Sequence, residues 1–322
     1  MDATLSDFAA RARAGVPRVL AADIGGSFVK FAAAGEDGRP IAAIHVANPS
    51  HDWDAFCAVL ADLAAAADPG GHLPLAISVA GTIDPVSGRS LAANIGGITG
   101  HSLRGELGPR LGRPVAAAND ADCFALAEAL EGVGRGHRNV FGVILGTGVG
   151  GGLVIDGRIV EGTGGVSGEW GHGPIVGERR VGDVVIPVLA CGCGQTGCLD
   201  TVGGARGLER LDATLNGSSR DSRAILKAWL AGEEPAKRTF DLFVDMVSGP
   251  LALVVNVVGA SLVPVGGGLA NVPELVVALD TAVRARILRK ASEPLLRPAV
   301  LGADAGLIGA ALLALRTATA PR

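Results

Sequence analysis

A chain of 322 residues exceeds the size at which single hydrophobic cores stop growing, so two domains are expected. With 48% hydrophobic and 19% charged residues it is not disordered, and a net charge of −4 argues against a general nucleic-acid binder, which would carry a basic stripe. Five cysteines, an odd number with three in one cluster, do not form a disulfide framework.

In chain order, residues 1–17 read as a short, loosely attached helix or tail. Asp2 and Asp7, followed by RARAG, lack the layout of a signal peptide. Val19–Gly26 is an apolar strand ending in a Gly-Gly turn, Ser27–Gly35 is a second apolar run, and Gly38–Asn48 is a third strand candidate. A helix is expected from Asp52, its N-cap, to Ala67, with Phe56, Val59, Leu60 and Leu63 on one face. Leu73–Gly81 reads as a buried strand, Leu103–Leu111 as a short helix, Pro114–Asp120 as a strand and its exit, and Ala121–Glu131 as a helix.

About 120 residues after the first hairpin, Asn139–Val160 repeats strand, Gly-rich turn, strand. Helices are expected over Ala205–Leu215, Ser222–Leu230 and Thr239–Val258, a strand over Ser261–Leu269, and an Ala-rich helix over Ala303–Ala318. Leu251–Val265 is greasy, but Asn256, Gly259, Ser261 and Pro264 interrupt it and it is too short to span a bilayer. The chain is expected to be soluble and cytoplasmic, with no membrane or nucleic-acid partner. Two hairpin-led halves with alternating strands and helices favour an α/β fold with two related lobes and a cleft between them.

Three glycine turns each follow a buried strand: Gly25-Gly26-Ser27, Gly146-Thr147-Gly148 and Gly266-Gly267-Gly268. Gly146, Gly148 and Gly151 satisfy GxGxxG, yet a strand follows where a dinucleotide fingerprint needs a helix, and no GxxxxGK[ST] occurs. What remains is backbone N–H groups in glycine turns forming anion-binding concavities, and three together point to a nucleotide. Asp23, at the end of the first strand, is placed to anchor Mg²⁺ through water; the alternative is a turn-initiating Asp. Asn119 and Asp120 close an apolar strand before a helix. Either caps that helix, or Asp120 accepts a proton during phosphoryl transfer while Asn119 holds a substrate hydroxyl.

The stretch from Gly165 to Asp200 is the most specific. Glu169 and His172 stand three apart, and Cys191, Cys193 and Cys198 follow with Gly192, Gly194 and Gly197 between and beside them. One His and three Cys make the ligand set of a closed, structural zinc site, and the glycines permit the tight chelate turns. A redox pair or simple packing are the alternatives. If zinc takes one imidazole nitrogen, the other is left as an oriented donor.

Together these segments resemble the ROK family of sugar kinases over about Val19 to Leu315. The resemblance rests on DIGGS (Asp23–Ser27), AAN (Ala92–Asn94), NDADCFALAEA (Asn119–Ala129), LGTGVGGGL (Leu145–Leu153), GEWGH (Gly168–His172), CGCGQTGCLD (Cys191–Asp200) and VGGGL (Val265–Leu269). It implies the two-lobed, actin-like (ribonuclease H-like, hexokinase-type) ATPase fold with an interlobe cleft. The lobes would be 1–118 plus 303–322, and 119–302. It implies that Asp120 is the general base on the sugar 6-hydroxyl, and that Asn94, Asn119, Glu169, His172 and Asp200 contact the sugar. Asp23, Gly25, Gly26, Ser27, Gly146, Thr147, Gly148, Gly266, Gly267 and Gly268 would hold Mg·ATP, and His172, Cys191, Cys193 and Cys198 a structural Zn²⁺. A homodimer is implied as well.

Within the family the segments look most like bacterial N-acetylglucosamine kinases; glucose or N-acetylmannosamine kinase is the runner-up. A sugar-responsive regulator would need a helix-turn-helix module ahead of the first strand, where 18 residues stand. Asp200 replaces the family's usual Glu, NIGG (Asn94–Gly97) replaces its Asn-x-Pro-Gly turn, and Lys30, displaced from its usual place after the first turn, is expected at the surface without a role.

Overall fold

The computed structural model describes residues 3–92 and 94–319, so Ala93 of the AAN segment lies outside the described residues. The chain forms two compact units: Met1–Glu131 with Arg158–Ser167 and Leu301–Arg322, and Gly132–Gly157 with Gly168–Val300. Residues 119–131 and 158–167 therefore group with the first unit, whereas the expected boundary assigned them to the second. The reason is packing: helix α3 (Asp120–Leu130) lies against the C-terminal helix α8 (Ala305–Thr319). The two cross so closely that a Cβ on Gly309 would fall 1.9 Å from the Cys123 carbonyl oxygen.

The first unit's sheet runs β3-β2-β1-β4-β5, from β1 (Val19–Ile24), β2 (Phe28–Ala34), β3 (Pro40–Ala47), β4 (Leu75–Val79) and β5 (Val115–Asn119). β1, β2 and β3 are antiparallel, whereas β4 and β5 run parallel to β1. The side-chain period of two divides β1 between two cores. Leu20, Ala22 and Ile24 join Phe31, Phe56 and Leu60 beneath α1 (Ala3–Ala14) and α2 (Trp53–Ala67). Val19 and Ala21 join Ala76, Ala116, Leu307, Ala310 and Ala311 beneath α8. The alanines on that side allow the close approach of the helix. α2 begins at its Asp52 cap as expected, with Asp52 accepting the Ala55 N–H at 3.0 Å. α1 is not a loose tail: Phe8 is 2% exposed and meets Phe31 edge-on at 6.1 Å.

In the second unit, β6 (Asn139–Leu145) and β7 (Val149–Ile155) form the antiparallel hairpin, with β8 (Val263–Gly266) and β9 (Leu296–Pro298) parallel beyond β6. Within this unit the strand order β7-β6-β8-β9 repeats the hairpin-then-parallel plan of the first unit. Helices α4 (Ala205–Asn216), α5 (Ser222–Leu230), α6 (Glu234–Val258) and α7 (Pro273–Arg284) belong to this unit. α6 starts five residues earlier than its apolar pattern suggests, because Pro235 suits the first helical turn. By length and composition α6 could cross a membrane. Its Phe240, Phe243, Met246, Val247, Leu251 and Val255 are instead buried in this unit's core.

Candidate active site

In the first unit, Asp23 sits on β1 opposite Lys30 of β2. The Ser78 hydroxyl donates to Asp23 Oδ1 at 2.7 Å, and a Cβ on Gly306, in the first turn of α8, would lie 3.1 Å from that oxygen. Burial pushes the Asp23 carboxyl above the usual carboxylate range, opposed by the Ser78 hydrogen bond and the Lys30 ammonium. Lys30 is not a surface residue: its side chain is 17% exposed and its Nζ pairs with Asp304, just ahead of α8. The following turn is held by the Gly25 N–H donating to the Phe28 carbonyl and by Asn48 Nδ2 donating to the Gly25 carbonyl at 2.7 Å. Asn94 is exposed beside that turn, its carbonyl oxygen 3.4 Å from where a Cβ of Gly26 would stand, while the Ser27 side chain is exposed at the turn's far end.

Of the two readings of Asn119 and Asp120, the structure shows the cap, and Asn119 makes it. Asn119 Oδ1 caps α3 by accepting the Ala121 N–H at 2.8 Å, and its Nδ2 donates to the Gly81 carbonyl at 2.9 Å. Asp120 is the first residue of α3, partly exposed, with Oδ1 2.9 Å from the same Ala121 nitrogen. A carboxylate at a helix N-terminus is electrostatically favoured. The neighbouring Asn does the capping, so Asp120 is not needed for it.

In the second unit, one ligand atom from each of His172, Cys191, Cys193 and Cys198 lies within 4.8 Å of the others. Cys193 and Cys198 sulfurs are 3.6 Å apart, and the Cys191 sulfur is 3.7 Å from His172 Nδ1. A tetrahedral zinc with Zn–S bonds of about 2.3 Å needs sulfurs about 3.8 Å apart, so the donor set fits. The Gln195 backbone N–H lowers the Cys193 thiol to about 7, favouring the thiolate a metal requires. With Nδ1 on the metal side, His172 Nε2 faces Glu169 Oε2 at 3.8 Å. This segment is pinned by a residue the sequence reading passed over. Trp170 is buried, and its Nε1 donates to the Gly150 carbonyl at 3.0 Å. A Cβ on Gly151 would fall 2.7 Å from the Trp170 ring, which is why glycine stands there.

The other two glycine turns converge. At Gly267 (φ +87°) a Cβ would lie 2.4 Å from the Leu145 carbonyl and 2.7 Å from the Gly146 nitrogen, so Gly266-Gly267-Gly268 packs directly on Gly146. Gly146, Thr147 and Gly268 share a cavity of about 590 Å³ with Arg223, Leu226 and Lys227 of α5. The sequence marks α5 as a helix without marking its site role; the i, i+4 spacing of Arg223 and Lys227 is the one local signal of it. α5 is positioned by a buried network in which Asp212 Oδ1 accepts from Arg220, Asn216 and Thr239 at 3.1, 2.7 and 2.9 Å. Burial opposes ionisation of Asp212, but these bonds outweigh it and hold its carboxyl below the usual range.

The sheets and glycine turns are those of an actin-like, hexokinase-type α/β protein. The chain belongs to the ROK family, whose model matches residues 19–317. It is 36% identical to an N-acetyl-D-glucosamine kinase of Pectobacterium atrosepticum, over 90% of this chain and 97% of that one. It is 35% identical to an N-acetylgalactosamine kinase of a Shewanella species, over 83% and 87%. A ROK glucokinase from Streptomyces griseus, solved with glucose and AMPPNP, is 28% identical with a TM-score of 0.69, covering 92% of this chain and 99% of that one.

Proposed function

We propose that this protein transfers the γ-phosphoryl group of ATP to the 6-hydroxyl of N-acetylglucosamine. The observation that carries the kinase reading is the 590 Å³ cavity joining two glycine turns, large enough for a nucleoside and edged by Arg223 and Lys227. The sugar is drawn from the Pectobacterium relative. The Shewanella relative favours N-acetylgalactosamine as the second reading; the two sugars share the 2-acetamido group.

In this reading Asp120 accepts the 6-hydroxyl proton as the oxygen attacks. Its position as the first residue of α3 fixes the carboxylate on a rigid element, so little reorganisation is needed. Asn94, Asn119, Glu169 and His172 orient the sugar. Asn119 spends one N–H on the Gly81 carbonyl and one Oδ1 lone pair on the Ala121 N–H, which fixes the strand end carrying Asp120 and leaves its second N–H for a sugar hydroxyl. The imidazole of His172, turned by the cysteine side, presents Nε2 towards Glu169, and the two together make a donor–acceptor pair for sugar hydroxyls. Gly26 and Ser27 and the Gly146 and Gly266 turns offer main-chain N–H groups to the phosphates, while Gly25 shapes the first turn through its bond to the Phe28 carbonyl. Asp23 would hold Mg²⁺, and the ion would supply charge neutralisation to the phosphates when bound. His172, Cys191, Cys193 and Cys198 would hold Zn²⁺, and four side-chain donors would make it a structural ion rather than a catalytic one. As a user of ATP the enzyme would work in the cytoplasm, and we take it to act as a homodimer.

Incubation with Mg·ATP and N-acetylglucosamine, followed by phosphorus NMR, is expected to show ADP and a phosphomonoester coupled to the C6 protons. Phosphate on another hydroxyl, or no sugar-dependent ADP, would sink the reading.

A further inference from the structure

The family resemblance gives Asp200 a sugar contact, but its carboxylate is turned to the second glycine turn. Oδ1 accepts the Val149 N–H at 2.8 Å, and Val149 is the residue directly after Gly146-Thr147-Gly148. A Cβ on Gly148 would fall 2.2 Å from the same oxygen, so turn and carboxylate are in direct contact. At its main chain, Asp200 is tied to the cysteine loop. Its N–H donates to the Gly171 carbonyl at 2.9 Å, one residue before His172, and Cys198 stands two residues ahead. The Gly173 N–H donates in turn to Cys198 Sγ at 3.3 Å. The turn is gripped again by α4, whose Ala205 N–H donates to the Gly146 carbonyl at 2.8 Å, and Gly204 abuts Gly148 so closely that a Cβ there would lie 2.6 Å from its Cα.

We propose that Asp200 is a positioning residue of the phosphate-donor site, coupling the metal loop to the Gly146-Thr147-Gly148 turn. This rests on the kinase reading. A charged acceptor on the Val149 N–H, together with the Gly146 N–H donating to the Gly148 carbonyl at 3.0 Å, holds the turn and leaves the Thr147 and Gly148 N–H groups for phosphate. The metal loop then fixes the donor turn through Asp200 and the sugar-facing pair through His172. Leu199–Thr201, a single 3₁₀ turn, carries that link between Cys198 and the carboxylate.

The test is calorimetric titration of the zinc-loaded protein with ADP and, separately, with N-acetylglucosamine. Asp200→Ala is expected to weaken ADP binding about tenfold, the scale of one lost charge-assisted hydrogen bond, and to leave sugar binding within about twofold. Asp200→Asn keeps an oxygen for the Val149 N–H and is expected to hold both affinities within about threefold. Amide hydrogen exchange of residues 146–149 is expected to quicken in Asp200→Ala and not in Asp200→Asn, a readout that needs no ligand. Sugar affinity lost in both variants with ADP affinity and exchange unchanged would overturn the inference and restore the sugar contact. Wild-type protein that binds no ADP would remove the kinase reading as well; wild-type binding with an unchanged Asp200→Ala variant would overturn this inference alone.

Discussion

Replacing Asp120 by Asn separates proton transfer from everything else this side chain does. Asn is isosteric and keeps an acceptor near the Ala121 N–H, which Asn119 caps in any case at 2.8 Å. What disappears is the base, and with it a negative charge in the first turn of α3, where Asp122 remains. The helix-terminal charge is worth about 0.3–1 kcal/mol, so Tm should fall by less than about 4 °C. Loss of a positioned general base should lower kcat by about 10²–10⁴-fold, or about 2.7–5.4 kcal/mol of barrier. KM for sugar should change less than about threefold, because Asn119, Glu169 and His172 are untouched. The assay is steady-state ADP release with calorimetric melting of the same preparation. A variant with more than about a tenth of wild-type kcat, or one whose loss tracks a large drop in Tm, would refute the assignment of Asp120 as base.

Cys193→Ser should reduce zinc from one per chain, measured by elemental analysis, and destabilise the fold by more than about 3 kcal/mol, since metal binding is folding energy. Wild-type protein purified without zinc would contradict the metal reading. Arg223→Glu with Lys227→Glu should raise KM for ATP about tenfold or more while leaving sugar KM unchanged, because both line the donor cavity alone. Asp212→Ala leaves Arg220 without its buried partner and should cost about 3–5 kcal/mol in denaturant titrations. Because the Asp212 carboxyl is held low in the folded state, its stabilisation is present above its unfolded value of about 3.9 and lost as pH falls through the folded one. Wild-type stability should therefore drop below about pH 4, and Asp212→Ala should flatten that part of the profile.

Most of the sheet framework was legible because it is written in local signals. The three glycine turns each follow an apolar strand, and the cysteine spacing specified the metal cluster without any tertiary information. Other features depended on packing that no local pattern encodes. Phe8 looked peripheral, but Phe31 of β2 receives it. Lys30 looked displaced, yet the β1–β2 register sets it opposite Asp23 and within reach of Asp304. Residues 119–131 read as the start of a second lobe, while the Gly309 contact with Cys123 ties them to α8. Helix α7 and strand β9 passed unnoticed although Leu275, Val276, Leu279 and Val283 follow helical spacing; β9 has only three residues and ends in proline, too little for an alternating pattern. For the site, residue types pointed to Asp120 and to the His172, Cys191, Cys193 and Cys198 cluster, but not to the cavity wall on α5 or the turn of Asp200 towards Val149. Both lie in contacts between segments distant in sequence.

The most direct measurement of the proposed activity is kcat/KM for N-acetylglucosamine against N-acetylgalactosamine, N-acetylmannosamine, glucose and mannose, each with saturating Mg·ATP and followed by ADP release. N-acetylglucosamine should give the highest value, by about tenfold or more over glucose, as a buried polar group left unpaired would impose. A higher value for N-acetylgalactosamine, N-acetylmannosamine, glucose or mannose would contradict the assignment of the acceptor.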